Sequence, residues 1–460
     1  MLVGITPLLG LLTSVMGAYM PERMQMDDPP PGNDTGEPLF LTPYIRQDQL
    51  REAKQLAKTE PPWYGVLSYS GYLTVNEDTG SNLWFWFFPN DNNVKAPIIL
   101  WLQGGPGVSS LFGLFVENGP FVANPDGGFR LREISWLNKF SLLYIDNPVG
   151  TGYSFTTSDT GYATNGQQVA RDLFEALQQF FTLFEEFSEN PFYIAGQAYG
   201  GKFVPELAEI IHQRRGESKM RLAGLIIGNG FCDPISFLDY ADFLLQIGLV
   251  GRLQSHEIRY LQERAIEAII GADYHEAFRL RADILRKYKE YTGSNYLFNY
   301  ILTEEPAGFS LYHNVVQTPE MRKSLHVGDV PFWSINTTVR SRLQGSIMRS
   351  VKTLLGALME RYEVLIYYGQ LDVTVAAPMS MSFVDSIEWR GAADLAEAER
   401  FIWRDRLTDE PLGYVRQVRL FTEVMVREAS HMVPFDRPAA AFDMIDRFIN
   451  HKEFAPEFPD

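Results

Sequence analysis

From Ser70 onward the chain alternates short apolar or β-branched runs with turn residues: SGYLTVNED, LWFWFFP and APIILWLQGGPG each read as a strand followed by a break. The run SLLYIDNPVGTGYS repeats the form. Residues 167–187 then switch to helical spacing, with Val169, Leu173, Leu177, Phe180, Phe184 and Phe187 on one face. PFYIAG leads into a helix over 202–214, RLAGLIIGNG is another buried strand, and VLIYYGQLD is a further strand ending in a loop. This alternation predicts an α/β fold with a mostly parallel central sheet and helices on both faces. Between Asp233 and about Gly345 the strand signals thin out, and LQSHEIRYLQERAIEAI and HEAFRLRADILRKYKEY read as amphipathic helices. An insertion there lies over the carboxyl edge of the sheet, where ligands bind in open α/β folds, so it is expected to form a cap.

The N-terminus reads differently. Residues 2–18 are an apolar run too short for a comfortable membrane span, ending in the small residues Gly17 and Ala18. They read as a signal peptide, although no Lys or Arg precedes Arg23. The Pro, Gly and Asp of DDPPPGNDTGE then predict an extended linker. The expected organisation is signal peptide 1–18, linker 19–38, core 39–234, helical cap 235–345 and a second core part 346–460. No internal repeat stands out, and no membrane span is expected once the leader is removed.

Composition narrows the partners. A hydrophobic content of 45% supports a large globular core, and a formal charge of −17 without any Lys/Arg cluster excludes nucleic acid. Cys232 is the only cysteine, so no intrachain disulfide can form, and a core of this size does not need one. The sequons Asn33-Asp34-Thr35 and Asn336-Thr337-Thr338 become glycosylation acceptors if the chain is exported. The expected location is the secretory pathway, either secreted or lysosomal.

The chemistry gathers around Gly196-Gln197-Ala198-Tyr199-Gly200-Gly201, which stands between an apolar strand and a helix. That is the setting of a G-x-S-x-G nucleophile elbow, with alanine in place of the serine. Asp372 follows later in a loop after VLIYYG, and His431 lies in EASHMVPFDRP, which is the nucleophile, acid, histidine order of α/β-hydrolases. Upstream, WLQGGPGVSS places adjacent glycines after a strand, where bare backbone N–H groups can approach an oxyanion. Ser109, Ser110 and Cys232 are the alternative nucleophiles, with nothing in the sequence placing them beside His431. The histidines at 212, 256, 275, 313, 326 and 451 are scattered singly, and no H-E-x-x-H or paired Cys/His spacing occurs, so no metal or cofactor is expected.

At this point the chain resembles the serine carboxypeptidases of the α/β-hydrolase fold. The matching segments include WLQGGPGVSSLFGLFVENGPF, WLNKFSLLYIDNPVGTGYSF, GQAYGGKFVPELA, GLIIGNGFCDP, YYGQLD and ASHMVPFDRP. The opening GEPLFLTPYI looks like the vitellogenic-carboxypeptidase-like branch. Active relatives read Gly-Glu-Ser-Tyr-Gly-Gly at the elbow, so this chain departs at Gln197 and Ala198. By resemblance, Gly105 and Tyr199 provide the oxyanion-hole N–H groups, and Trp101, Gln103, Glu117 and Gln197 line the site for a ligand's terminal carboxylate. The resemblance also implies peptide or protein C-termini as partners and a capacity to form homodimers.

Ala198 offers no atom to attack a carbonyl, so the covalent route is closed and peptidase activity is expected to be absent or very weak. Three readings stay open: a silent homologue that binds peptides, an exopeptidase working through water or a relocated nucleophile, and a storage glycoprotein. Gln197 removes half of a carboxylic acid pair that favours acidic pH in the family, whereas an amide donates a hydrogen bond without protonation. Binding of a dipeptide with a free C-terminus is therefore expected to persist from acid to neutral pH, and a steep loss of affinity above the acid range, measured by calorimetry, would refute this.

Overall fold

The computed structural model describes residues 34–60 and 63–454, so the leader, the sequon at Asn33 and the first part of the linker lie outside the described residues. In chain order the strands are β1 (Tyr69–Asn76), β2 (Ser81–Phe88), β3 (Ile98–Leu102), β4 (Phe121–Ala123), β5 (Phe129–Leu131), β6 (Ser141–Ile145), β7 (Phe192–Gln197), β8 (Leu222–Gly228), β9 (Glu363–Gly369), β10 (Phe401–Arg404), β11 (Pro411–Val418) and β12 (Phe421–Val426). β4 and β5 form a separate hairpin, and the other ten make one sheet in the order β1-β2-β6-β3-β7-β8-β9-β12-β11-β10. From β6 to β12 neighbouring strands run parallel, while antiparallel pairs close both flanks. The expected parallel centre is present.

Strand periodicity explains the two cores. Leu83, Phe85 and Phe87 of β2 bury against one layer with Phe180 and Phe184, whereas Trp84, Trp86 and Phe88 face the other. The first layer carries α1 (Gly166–Leu183) and α2 (Gly200–Gln213); the second carries a C-terminal helix over Pro438–Ile449. α1 starts where the pattern places it, because the Asn165 side chain accepts from Gln168 N at 2.9 Å.

β10, β11 and β12 were not among the strands the apolar pattern picks out. Charges interrupt that stretch, yet Arg416 and Glu423 sit directly opposite each other on β11 and β12 and pair at 2.5 Å. Between β8 and β9 the chain is helical, as expected, with α3 (Arg252–Ile270) and α4 (Tyr274–Thr292) packed on each other and no strand of the sheet.

The fold bears on one of the two sequons. Asn336 is only 3% exposed, its Oδ1 accepts from Thr338 N at 2.8 Å as a helix cap, and its Nδ2 donates to Gly150 O at 2.7 Å. The nitrogen that a glycan would need is already used inside the protein. Asn336 is thus expected to be unmodified in chain secreted from eukaryotic cells, which peptide mapping checks. Asn336→Ala is expected to lower stability by about 1–2 kcal/mol in denaturant unfolding through loss of the cap and the Gly150 bond.

Candidate active site

β7 runs into α2 through a turn whose apex, Ala198, has φ +54°, a conformation that costs a β-carbon-bearing residue steric strain. The flanking glycines are there because nothing larger fits. A Cβ on Gly196 would lie 2.6 Å from Gly200 O, and one on Gly200 would lie 2.4 Å from Leu102 O. The glycine loop after β3 touches the same turn: a Cβ on Gly104 would stand 2.6 Å from Tyr199 N and 2.9 Å from the Ala198 methyl. Gly105 follows with φ +109°, accessible only to glycine. Ala198, Tyr199 and Gly105 are thus brought to one place.

β9 and β12 are neighbours, so the loops beyond their ends arrive side by side. Asp372 and His431 stand on these loops, with His431 Nδ1 2.5 Å from Asp372 Oδ2. Asp372 is fully buried and well supplied with donors. Asn229 Nδ2 donates to Oδ2 at 2.8 Å, and Thr374 donates to Oδ1 through its backbone N–H at 2.8 Å and its hydroxyl at 2.9 Å. Phe298 stacks on the imidazole with centroids 4.6 Å apart.

The four residues expected to bind a carboxylate form one chain of hydrogen bonds. Trp101 Nε1 donates to Gln103 Oε1 at 2.8 Å, Gln103 Nε2 to Gln197 Oε1 at 2.6 Å, and Gln197 Nε2 to Glu117 Oε2 at 2.7 Å. Gln197 Nε2 also donates to His431 O at 3.0 Å, tying the elbow strand to the histidine loop. Glu117 is 1% exposed and sits on a π-helical turn over Gly113–Asn118, an irregularity common at functional sites. Burial pushes its carboxyl up to about 8, with hydrogen bonds from Gln197 and Gln103 acting the other way.

A cavity of about 480 Å³ opens over this assembly, lined by Gln103, Gly105, Ala198, Tyr199, Gln197 and His431 at its floor. Aromatic side chains from the stretch between β8 and β9, including Phe278, Tyr296 and Phe309, make up its walls. The three alternative nucleophiles are committed elsewhere: Ser109 Oγ donates to Asp146 Oδ1, Ser110 Oγ to Ile145 O, and Cys232 Sγ to Gly201 O. Burial also pushes the Cys232 thiol up to about 12, which leaves it unreactive.

The sequence pattern described as "Peptidase_S10: Serine carboxypeptidase" covers residues 59–451. The chain belongs to the serine carboxypeptidase family. It is 42% identical over 441 residues to the probable serine carboxypeptidase CPVL of Homo sapiens, covering 93% of this chain and 92% of that one. It is 42% identical over 434 residues to the venom serine carboxypeptidase of Apis mellifera, covering 92% of each, and 40% identical over 433 residues to the vitellogenic carboxypeptidase of Aedes aegypti, covering 92% and 91%. Among solved structures it superposes on Kex1(delta)p, a prohormone-processing carboxypeptidase from Saccharomyces cerevisiae, with a TM-score of 0.76 and 26% identity over 86% of this chain and 96% of that one. The chain has the α/β-hydrolase fold, a mostly parallel central sheet with helices.

Several contributors to this carboxypeptidase-family site escape sequence reading. Asn229 and Thr374 hold the acid, and Arg132 supports the turn that carries Glu117 by donating to Phe115 O at 2.7 Å and Gly119 O at 2.9 Å. Asn229 had the clearest signal, an asparagine between glycines at a strand end in GNG.

Buried carboxyls make a pH prediction. Burial raises Glu117 to about 8, and Asp172 and Glu206 to about 7. The unfolded chain loses these protons near pH 4, so between there and about pH 8 the folded state binds more protons and its stability falls as pH rises. The melting temperature is expected to drop from pH 5 to pH 8, and Glu117→Gln, which cannot ionise, is expected to shrink that drop by roughly 1–3 °C. An unchanged slope in scanning calorimetry would count against it.

Proposed function

We propose that this chain is a carboxypeptidase homologue that holds peptide or protein C-termini without cleaving them. The observation that carries this reading is the Ala198 methyl at the apex of an otherwise furnished elbow, 54° into positive φ and beside the glycine loop. A ligand would lie in the cavity with its terminal carboxylate toward Trp101, Gln103, Glu117 and Gln197, and its last carbonyl toward the Gly105 and Tyr199 N–H groups. The helical stretch 235–345 acts as the cap over it. His431 has no hydroxyl to deprotonate at residue 198, so no acyl-enzyme forms. The chain works in the secretory pathway, outside the cell or in lysosome-like organelles.

The test uses the native chain and Ala198→Ser on a blocked dipeptide with a free C-terminus. Both are expected to bind the peptide, the native chain to leave it intact, and the serine variant to gain turnover on the order of 10⁴–10⁶-fold with labelling by a serine-directed phosphonate. Hydrolysis or a covalent acyl adduct on the native chain overturns the reading. Failure of both proteins to bind any free C-terminus does so as well.

A further inference from the structure

The acid and histidine loops are joined by a third piece of chain. Leu371 N donates to Ala429 O at 2.8 Å and Gln370 N to Val426 O at 3.1 Å, which pairs the two loops just beyond the sheet. Past those bonds the two loops leave the strand ladder, and besides the bond from Gln197 Nε2 to His431 O, Asp372 and His431 depend on contacts from outside the sheet. There the segment Leu297–Tyr300, which belongs to the helical stretch between β8 and β9, crosses both loops. Val373 N donates to Leu297 O at 3.3 Å, His431 N donates to Phe298 O at 3.0 Å, and Tyr300 N donates to Leu371 O at 3.0 Å. The Phe298 ring adds a face-to-face contact with the imidazole, 4.6 Å between centroids and 30° between planes.

We propose that residues 297–300 are a brace that sets His431 and Asp372 in register, and that Phe298 is a positioning residue for the imidazole. This rests on reading His431 and Asp372 as the acid–base pair of the site. The carbonyl of Phe298 fixes where the histidine backbone sits; its ring fixes the plane of the side chain. With Asp372 already anchored by Asn229 and Thr374, a ring held in that plane keeps Nδ1 on Oδ2, in the cavity that Ala198 also lines. The same segment also forms cavity wall, since Tyr296, Leu297 and Phe298 all line it. A ligand pressing on that wall bears directly on the element that aligns the histidine.

The first readout needs no turnover. In the native chain the proton between His431 Nδ1 and Asp372 is expected to give a downfield imidazole resonance, assigned by its loss in His431→Gln. It is expected to survive in Phe298→Tyr, to broaden away in Phe298→Ala, and to weaken in Phe298→Leu, which keeps apolar bulk so that loss of the fold is told apart from loss of the stack. The second readout adds Phe298→Ala to Ala198→Ser, where kcat is expected to fall roughly tenfold with KM within about twofold, and Phe298→Tyr to restore it. A resonance unmoved in Phe298→Ala, or an effect confined to KM, overturns the brace. If Ala198→Ser binds the peptide but proves silent, the binding reading stands and the resonance alone judges the brace; if neither protein binds, the proposed function falls and the resonance still judges the brace.

Discussion

Three backbones meet at Ala198 with no space for another carbon. Gly104 abuts Tyr199 N and Gln197 O, Gly200 abuts Leu102 O, and Gly196 abuts Gly200 O, all at separations that a single Cβ would violate. This crowding presses the end of β3 onto the turn between β7 and α2, and the parallel pairing of those strands transmits it into the sheet. The position of the residue-198 side chain is thereby fixed within a narrow range, and so is its distance from the glycine loop. The crowding acts on backbone and glycines alone, so the turn's shape does not depend on the identity of the residue-198 side chain beyond its Cβ.

Polar order in the floor of the cavity follows from the direction of donation. Trp101 gives to Gln103, Gln103 to Gln197, and Gln197 to both Glu117 and the His431 carbonyl. The amide at 197 thus uses its oxygen and its nitrogen in one continuous run, and only an amide supplies acceptor and donor together without borrowing a proton. A carboxyl at that position would have to be protonated to continue the run. The buried Glu117 is left as the one member whose state follows pH.

Much of this was legible in the residues themselves. The elbow could be read because its glycines have local steric reasons, and the acid because it follows the plain apolar run of β9, whereas the histidine was read from its own motif and its place in the chain order. What the sequence hid depends on contacts between distant stretches. Phe298 and His431 are separated by most of the second half of the chain, and Arg132 acts on a π-helical turn that no apolar period announces. β11 and β12 were masked by charges that neutralise each other only across the ladder. The burial of Asn336 was hidden for the related reason that the three letters of its triplet carry no information about packing.

The acid of the pair also has a part in the stability of the fold. Asp372 receives hydrogen bonds from Asn229, from Thr374 twice and from the imidazole, deep in the protein. Deleting it would strand those donors away from water, a penalty of folding and not of turnover. The aspartate and histidine are thus masonry as well as chemistry, and the fold alone would preserve them in any relative that had lost its nucleophile.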